Sequence, residues 1–200
     1  MNKSVLPLAL AALLVGGASA ASAHFAERTA SLWGFVSRSD LVMIGRIGDS
    51  RRFEERGHTT VPGAVRLRVE ETLRGAASDE EVAILVAGPH QPRYARGERV
   101  IVFAERRDGL LRSLQSRSEK IAIDGGATDP VLAAVRSYVA IAAEADAVRA
   151  AERLKRLTLE LLRSPVPRLH QDAIFDLSRA EGIDRHLTDG DTAALGELSH

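Results

Sequence analysis

The chain has 200 residues, with 27 Lys and Arg side chains against 27 Asp and Glu, and it contains no cysteine. The balanced charge excludes a bulk polycation for nucleic acid or anionic membranes, and the lack of cysteine excludes disulfides, thiolate zinc sites and Cys nucleophiles. The 45% hydrophobic content is enough for a packed core and argues against wholesale disorder.

Residues 1–23 have the pattern of a secretory signal peptide. Lys3 supplies a positive start, and residues 5–15 form an apolar run of the length of a signal core. That run is shorter than the roughly 20 apolar residues that span a bilayer. Two small-residue sites follow, so cleavage is expected after Ala20 or Ala23. We therefore predict an exported protein, periplasmic or extracellular, with no membrane span after signal cleavage.

Residues 24–126 are predicted to form a strand domain that begins with one helix. Between residues 25 and 38 the apolar positions repeat at helical spacing. Short continuous apolar runs then predict strands buried on both faces, and runs in which apolar and polar residues alternate predict strands with one solvent-exposed face. These runs are residues 41–47, 65–69, 82–87, 100–104, 110–114 and 121–123. A single small sheet best removes its exposed edges by closing, so we expect a barrel.

Residues 127–200 are predicted to form a C-terminal helical segment, because the apolar period changes near residues 124–126. Thr128-Asp129-Pro130 is a strong helix start, with a capping side chain and a proline where its missing N–H costs nothing. A break is expected near residues 143–147, and a second helix is expected to end at Ser164-Pro165. The fold class predicted from both halves is α+β.

Two connections between the predicted strands, residues 49–63 and 88–98, are longer than a hairpin turn requires. They concentrate basic, histidine and tyrosine side chains suited to hydrogen bonding and stacking. The candidate binding residues on them are Arg51, Arg52, Arg56, His58, His90, Arg93, Tyr94 and Arg96. Acidic residues interleave with these, so the alternative is a solvated mixed-charge loop without a ligand.

Motifs for catalysis are missing from the sequence, which has no phosphate loop, no nucleophile elbow and no zinc-binding helix. We therefore predict no catalytic residue, no cofactor and no metal. One alternative stays open. Cleavage after Ala23 would make His24 the N-terminal residue, whose amine and imidazole together can hold copper.

The strand half resembles a domain of exported bacterial proteins of unassigned role. The resemblance rests on SDLVMIGRI at residues 39–47, VRLRVEETLRG at residues 65–75 and GERVIVF at residues 97–103. Their order also resembles the OB-type barrel of tissue inhibitors of metalloproteinases and netrin modules, over residues 25–124. The resemblance implies a small OB-like antiparallel β-barrel.

The stretch LLRSPVPRLHQDAIFDL at residues 161–177 is similar to one HEAT-type helical repeat. It has a helix end, a proline-bearing turn and the start of a second helix. Because such arrays need three or more repeats to bury a core, we expect a helical cap on the barrel rather than a free-standing solenoid.

The predicted function is a non-enzymatic binding or interaction module whose partner is another envelope or extracellular protein. Nucleic acid is not an expected partner, because acids interleave with the loop arginines and export removes most nucleic acid. The barrel resemblance implies a second function, proteinase inhibition. A metal-dependent enzyme built on His24 is the third.

Overall fold

The structure is a computed structural model, which describes residues 30–51, 54–56, 59–61, 63–77, 80–86, 92–116, 119–124 and 128–179. The helices are α1 (Leu32–Arg38), α2 (Pro130–Ala142), α3 (Ala147–Leu161) and α4 (Pro167–Arg179). The strands are β1 (Leu41–Arg51), β2 (Glu54–Arg56), β3 (Thr59–Val61), β4 (Gly63–Arg74), β5 (Glu81–Val86), β6 (Arg99–Arg107), β7 (Leu110–Ser113) and β8 (Ile121–Ala122). The expected signal peptide lies outside the described residues.

Five strands close a small barrel in the order β1-β4-β5-β7-β6, with β6 returning to β1. The β5–β7 pairing is parallel and the other four are antiparallel. The closing pairing runs from Leu41 opposite Ala104 to Arg46 opposite Arg99. The predicted α+β class and closed barrel are confirmed, and the strand order is consistent with an OB-like barrel.

Residues 41–45 of β1 and 100–104 of β6 are buried on both faces of their strands, as the continuous apolar runs predicted. Alternate side chains of each strand point to opposite faces. One set fills the barrel interior, with Leu41, Met43, Ile47, Val100, Val102 and Ala104. The other set packs outward against the helices, with Val42, Ile44, Ile101 and Phe103.

Helix α1 lies between the barrel wall and the C-terminal helices. Ser31 caps it by accepting a hydrogen bond from the Gly34 backbone N–H at 3.0 Å. Phe35 stacks on Phe103 of β6 with the ring centroids 5.3 Å apart. Residues of α1, α2 and α4 belong to the same core cluster as the outer face of β1 and β6. The barrel wall and the helices therefore share one hydrophobic core.

The helical segment begins where the sequence predicted. The Asp129 carboxylate accepts hydrogen bonds from the backbone N–H groups of Val131, at 2.8 Å, and Leu132, at 3.1 Å. Helix α2 ends at Ala142, and α3 begins at Ala147 after a second carboxylate cap, Asp146. In the described part of the chain, no helix has the combination of length and apolarity that crossing a membrane requires. The predicted domain boundary at residue 126 falls outside the described residues and stays a prediction.

The connection over residues 49–63 was predicted as a plain loop, and this was wrong. Strand β1 continues to Arg51, and β2 pairs with β3 as a separate antiparallel hairpin. Thr59, Thr60 and Val61 are β-branched, and such residues favour extended backbone. The polar composition of this stretch concealed that preference.

Gly45 of β1 lies opposite Val69 of β4, next to an irregularity in the pairing of the two strands. A Cβ added at Gly45 would overlap the backbone carbonyl of Arg68, which cannot move without disturbing the sheet. A Cβ at Gly48, on the same strand, would find its nearest neighbour at 3.6 Å, an ordinary contact.

We expect Gly45→Ala to lower the free energy of unfolding by about 1–3 kcal/mol, since overpacking forces a backbone shift. Gly48→Ala is the matched control, and we expect a change within about 0.5 kcal/mol. Urea unfolding of both variants measures the difference. Equal stability of the two would show that β1 and β4 do not approach each other at Gly45.

Candidate functional site

An open groove of about 590 Å³ lies on the outer wall of the barrel, beside the loop that leads into β6. Three strands each contribute one charged side chain to its lining: Arg46 from β1, Glu70 from β4 and Arg99 from β6. The remainder of the lining is Gly97, Glu98, Ile123 and Asp124.

Strand register brings these side chains together. Arg46 is directly opposite Arg99 on one side and directly opposite Arg68 of β4 on the other. Residues directly opposite each other in a sheet point to the same face. Arg46 and Arg68 are exposed and Arg99 is half-buried, so a row of arginines crosses three neighbouring strands on the outer wall.

Glu70 joins two arginines of this row. Its carboxylate accepts a hydrogen bond from Arg46 Nε at 2.9 Å and from Arg99 Nε at 2.6 Å. The hydrogen bond from Arg99, with the charges of Arg99 and Arg46, holds the pKa of Glu70 below its ordinary value despite an opposing effect of burial. Glu70 is therefore the anion that keeps Arg46 and Arg99 side by side.

The loop at the edge of the groove is fixed to the barrel. The Gly97 backbone N–H donates to the Ile47 carbonyl at 2.7 Å, and the Ile47 N–H donates to the Glu98 carbonyl at 2.9 Å. Lys120 Nζ donates to the Glu98 carboxylate at 2.5 Å and to the Arg93 carbonyl at 3.0 Å. These hydrogen bonds thus hold the described part of this loop, residues 92–98, against the barrel.

Three of the predicted binding residues lie on this loop. Arg93 and Arg96 are exposed, and an Arg96 guanidinium nitrogen lies 3.8 Å from an Asp49 carboxylate oxygen. Tyr94 packs against the core cluster inside the barrel, and burial raises the pKa of its hydroxyl. The Tyr94 ring therefore anchors the loop to the barrel and contributes little to the exposed surface of the loop.

The other predicted binding residues are less fully described. Arg51 ends β1 and Arg56 ends β2, and only their backbone is described. Arg52, His58 and His90 lie outside the described residues. A role of these side chains in binding a partner therefore stays a prediction.

The charged residues at the centre of the groove were missed by sequence reasoning. Arg46 interrupts an apolar strand, and Glu70 ends an alternating one, which are signals of outward-facing positions. Neither signal says which residues of distant strands lie opposite each other.

A second polar cluster, which sequence reasoning also missed, is buried between the helices. Asp176 of α4 accepts a hydrogen bond from the Ser31 hydroxyl and one from the Tyr138 hydroxyl at 3.5 Å. Burial raises the pKa of Asp176 to about 7, with a further contribution from the neighbouring Asp172 carboxylate; the Ser31 hydrogen bond opposes this rise. The cluster links α1, α2 and α4.

Within the described ranges, no group of three or more His, Asp or Glu side chains is placed to hold a metal ion. His24, the basis of the copper alternative, lies outside those ranges, so that alternative stays a prediction.

A scan against protein-family models finds no match to this chain, and a search of curated proteins finds none either. The closed five-strand barrel is shown by its strand pairing. The closer likeness to the metalloproteinase-inhibitor and netrin barrel, and to a HEAT repeat, stays a prediction.

Proposed function

We propose that the chain is an exported, non-enzymatic binding module that recognises another envelope or extracellular protein through the groove centred on Arg46, Glu70 and Arg99. The observation that carries the proposal is the shared Glu70 carboxylate, which holds two guanidinium groups at an open groove on the barrel wall.

Exposed ion pairs contribute little to the stability of a folded protein. The Arg46–Glu70 pair is of this kind, with 56% of the Arg46 side chain exposed. Its charges are therefore free to exchange for those of a partner at small cost to the fold. A guanidinium also offers a planar fork of donors that matches a carboxylate with two parallel hydrogen bonds.

The position of the groove also supports a binding role. It borders the loop at residues 92–98, and barrels of the resembled type bind through loops and the adjoining wall. Export is supported by the signal-peptide pattern of residues 1–23.

Affinity capture from an envelope extract tests the proposal. The double variant Arg46→Ala/Arg99→Ala is expected to lose a protein that the wild-type chain retains. We expect its affinity to fall roughly tenfold or more, as when charged contacts at an interface are removed. The matched control is Arg149→Ala/Arg163→Ala, two exposed arginines of the C-terminal segment. Retention of the same proteins by the groove variant and the wild type would contradict the proposal.

The alternative drawn from the barrel resemblance makes a narrower prediction for the same experiment. A proteinase inhibitor would retain a peptidase, and the activity of that peptidase would fall on adding the wild-type chain.

A further inference from the structure

We infer that the partner presents an acidic protein segment, which lies across the barrel wall from Arg99 over Arg46 to Arg68. The inference rests on the proposed function, because it names the chemistry of the partner that the same wall binds.

Three arginines stand in a row across the neighbouring strands β6, β1 and β4. Neighbouring strands of a sheet are about 4.8 Å apart, so the row of Arg99, Arg46 and Arg68 spans about 10 Å. Like charges directly opposite each other across a strand pair are destabilising. Glu70 offsets this repulsion between Arg46 and Arg99. An anionic partner would offset the repulsion that remains between Arg46 and Arg68.

The barrel wall around this row carries more arginines than carboxylates. Glu70 is shared by Arg46 and Arg99. Glu81 lies directly opposite Arg68 but pairs with Arg66, at 3.1 Å. Arg68 is exposed and makes no ion pair within the described part of the chain. The four arginines thus exceed their two carboxylates by two positive charges.

The charges on the two sides of the groove set the direction of the segment. The far side of the groove carries Asp124 and the Glu98 carboxylate, which Lys120 already neutralises. An acidic segment is repelled from Asp124 and attracted toward Arg68. It therefore runs from the groove across β1 to β4.

The open wall suits a protein segment better than other anions. The row is exposed on an open wall, where a single small anion would stay solvated, while a segment with several carboxylates contacts several arginines at once. Gly48 and the exposed Ala83 lie on either side of Arg66, so these two positions near the row carry no bulky side chain. The chain has equal numbers of basic and acidic residues, whereas nucleic-acid-binding proteins typically carry an excess of basic residues over a broad surface.

The test uses a fluorescein-labelled oligoglutamate peptide titrated with the full chain, with fluorescence anisotropy as the readout at low and at physiological salt. We expect saturable binding that weakens with salt, because these charges are exposed. Arg68→Gln is expected to raise the Kd roughly threefold, as loss of one exposed ion pair does. The matched control, Arg163→Gln, changes an exposed arginine outside the wall and is expected to leave the Kd unchanged.

Glu70→Gln gives the opposite result. It removes the carboxylate that occupies Arg46 and Arg99, so oligoglutamate is expected to bind roughly threefold more tightly. A role of Glu70 in stability alone would not tighten binding.

Three results would overturn the inference: no binding of oligoglutamate, equal binding by Arg68→Gln and the wild type, or Arg68-dependent binding of single-stranded DNA without binding of oligoglutamate. These failures are distinct from failure of the proposed function. If capture of a partner depends on Arg46 and Arg99 but is unchanged by Arg68→Gln, the inference of an acidic segment fails and the proposed function stands. Capture that is indifferent to the groove variant removes the proposed function.

Discussion

Replacing Phe103 by Ala is expected to lower the free energy of unfolding by about 3–5 kcal/mol, the usual cost of removing a buried Phe side chain. Phe103 is 0% exposed and stacks on Phe35 of α1. It lies in the core that the barrel wall shares with the helices, so its removal leaves a cavity that elements on both sides would have to move to fill. Chemical unfolding, followed by circular dichroism, measures the loss.

The matched control is Val148→Ala on α3, where the valine is 67% exposed. Truncation of an exposed apolar side chain is expected to change stability by no more than about 0.5 kcal/mol. Similar losses in the two variants would contradict the placement of β6 between the barrel interior and α1.

Asp176 is expected to make the protein less stable as the pH rises from about 4 to about 7. Its native pKa of about 7 lies above its ordinary value of 3.8, so the native state keeps a proton that the unfolded state has lost in this interval. Stability therefore falls with pH until the native carboxyl has also ionised. Between about pH 5 and about pH 8 the loss attributable to this group is about 2–3 kcal/mol.

The variant Asp176→Asn removes this titration and keeps an acceptor for the Ser31 hydroxyl. We expect it to melt above the wild type at about pH 8, with a much smaller advantage at about pH 5. The other groups in contact with this site are the Tyr138 hydroxyl, whose pKa burial raises, and Asp172, which pairs with Arg168 at 2.9 Å. These groups remain in the variant.

Asp146→Asn is the matched control, because Asp146 is an exposed helix cap and Asn caps a helix about as well as Asp. The fall in stability between about pH 5 and about pH 8 should persist in it, because Asp176 is unchanged. Unchanged pH dependence in Asp176→Asn would show that Asp176 is not buried between α1, α2 and α4.

Local sequence patterns predicted the elements of this protein and the faces that they bury. The apolar run at residues 41–47 predicted a strand buried on both faces, and the alternation around Val65 and Leu67 predicted a strand with one wet face. The cap at Asp129 predicted the start of α2. These features depend on neighbours within a few residues, where the periods of the helix and the strand operate.

Only the tertiary structure decided which distant residues meet. Arg46, Arg68 and Arg99 share a row because of the register between β1, β4 and β6, and that register shifts between Ile44 and Gly45. A slip of one residue would turn the arginines to the other face, and no local pattern specifies where such an irregularity falls. Ser31 and Asp176 are 145 positions apart and meet because α1 is enclosed by the later helices. The sequence by itself determined the elements and their buried faces, and the closure of the barrel and the packing of the helices on it determined the groove and the buried carboxyl.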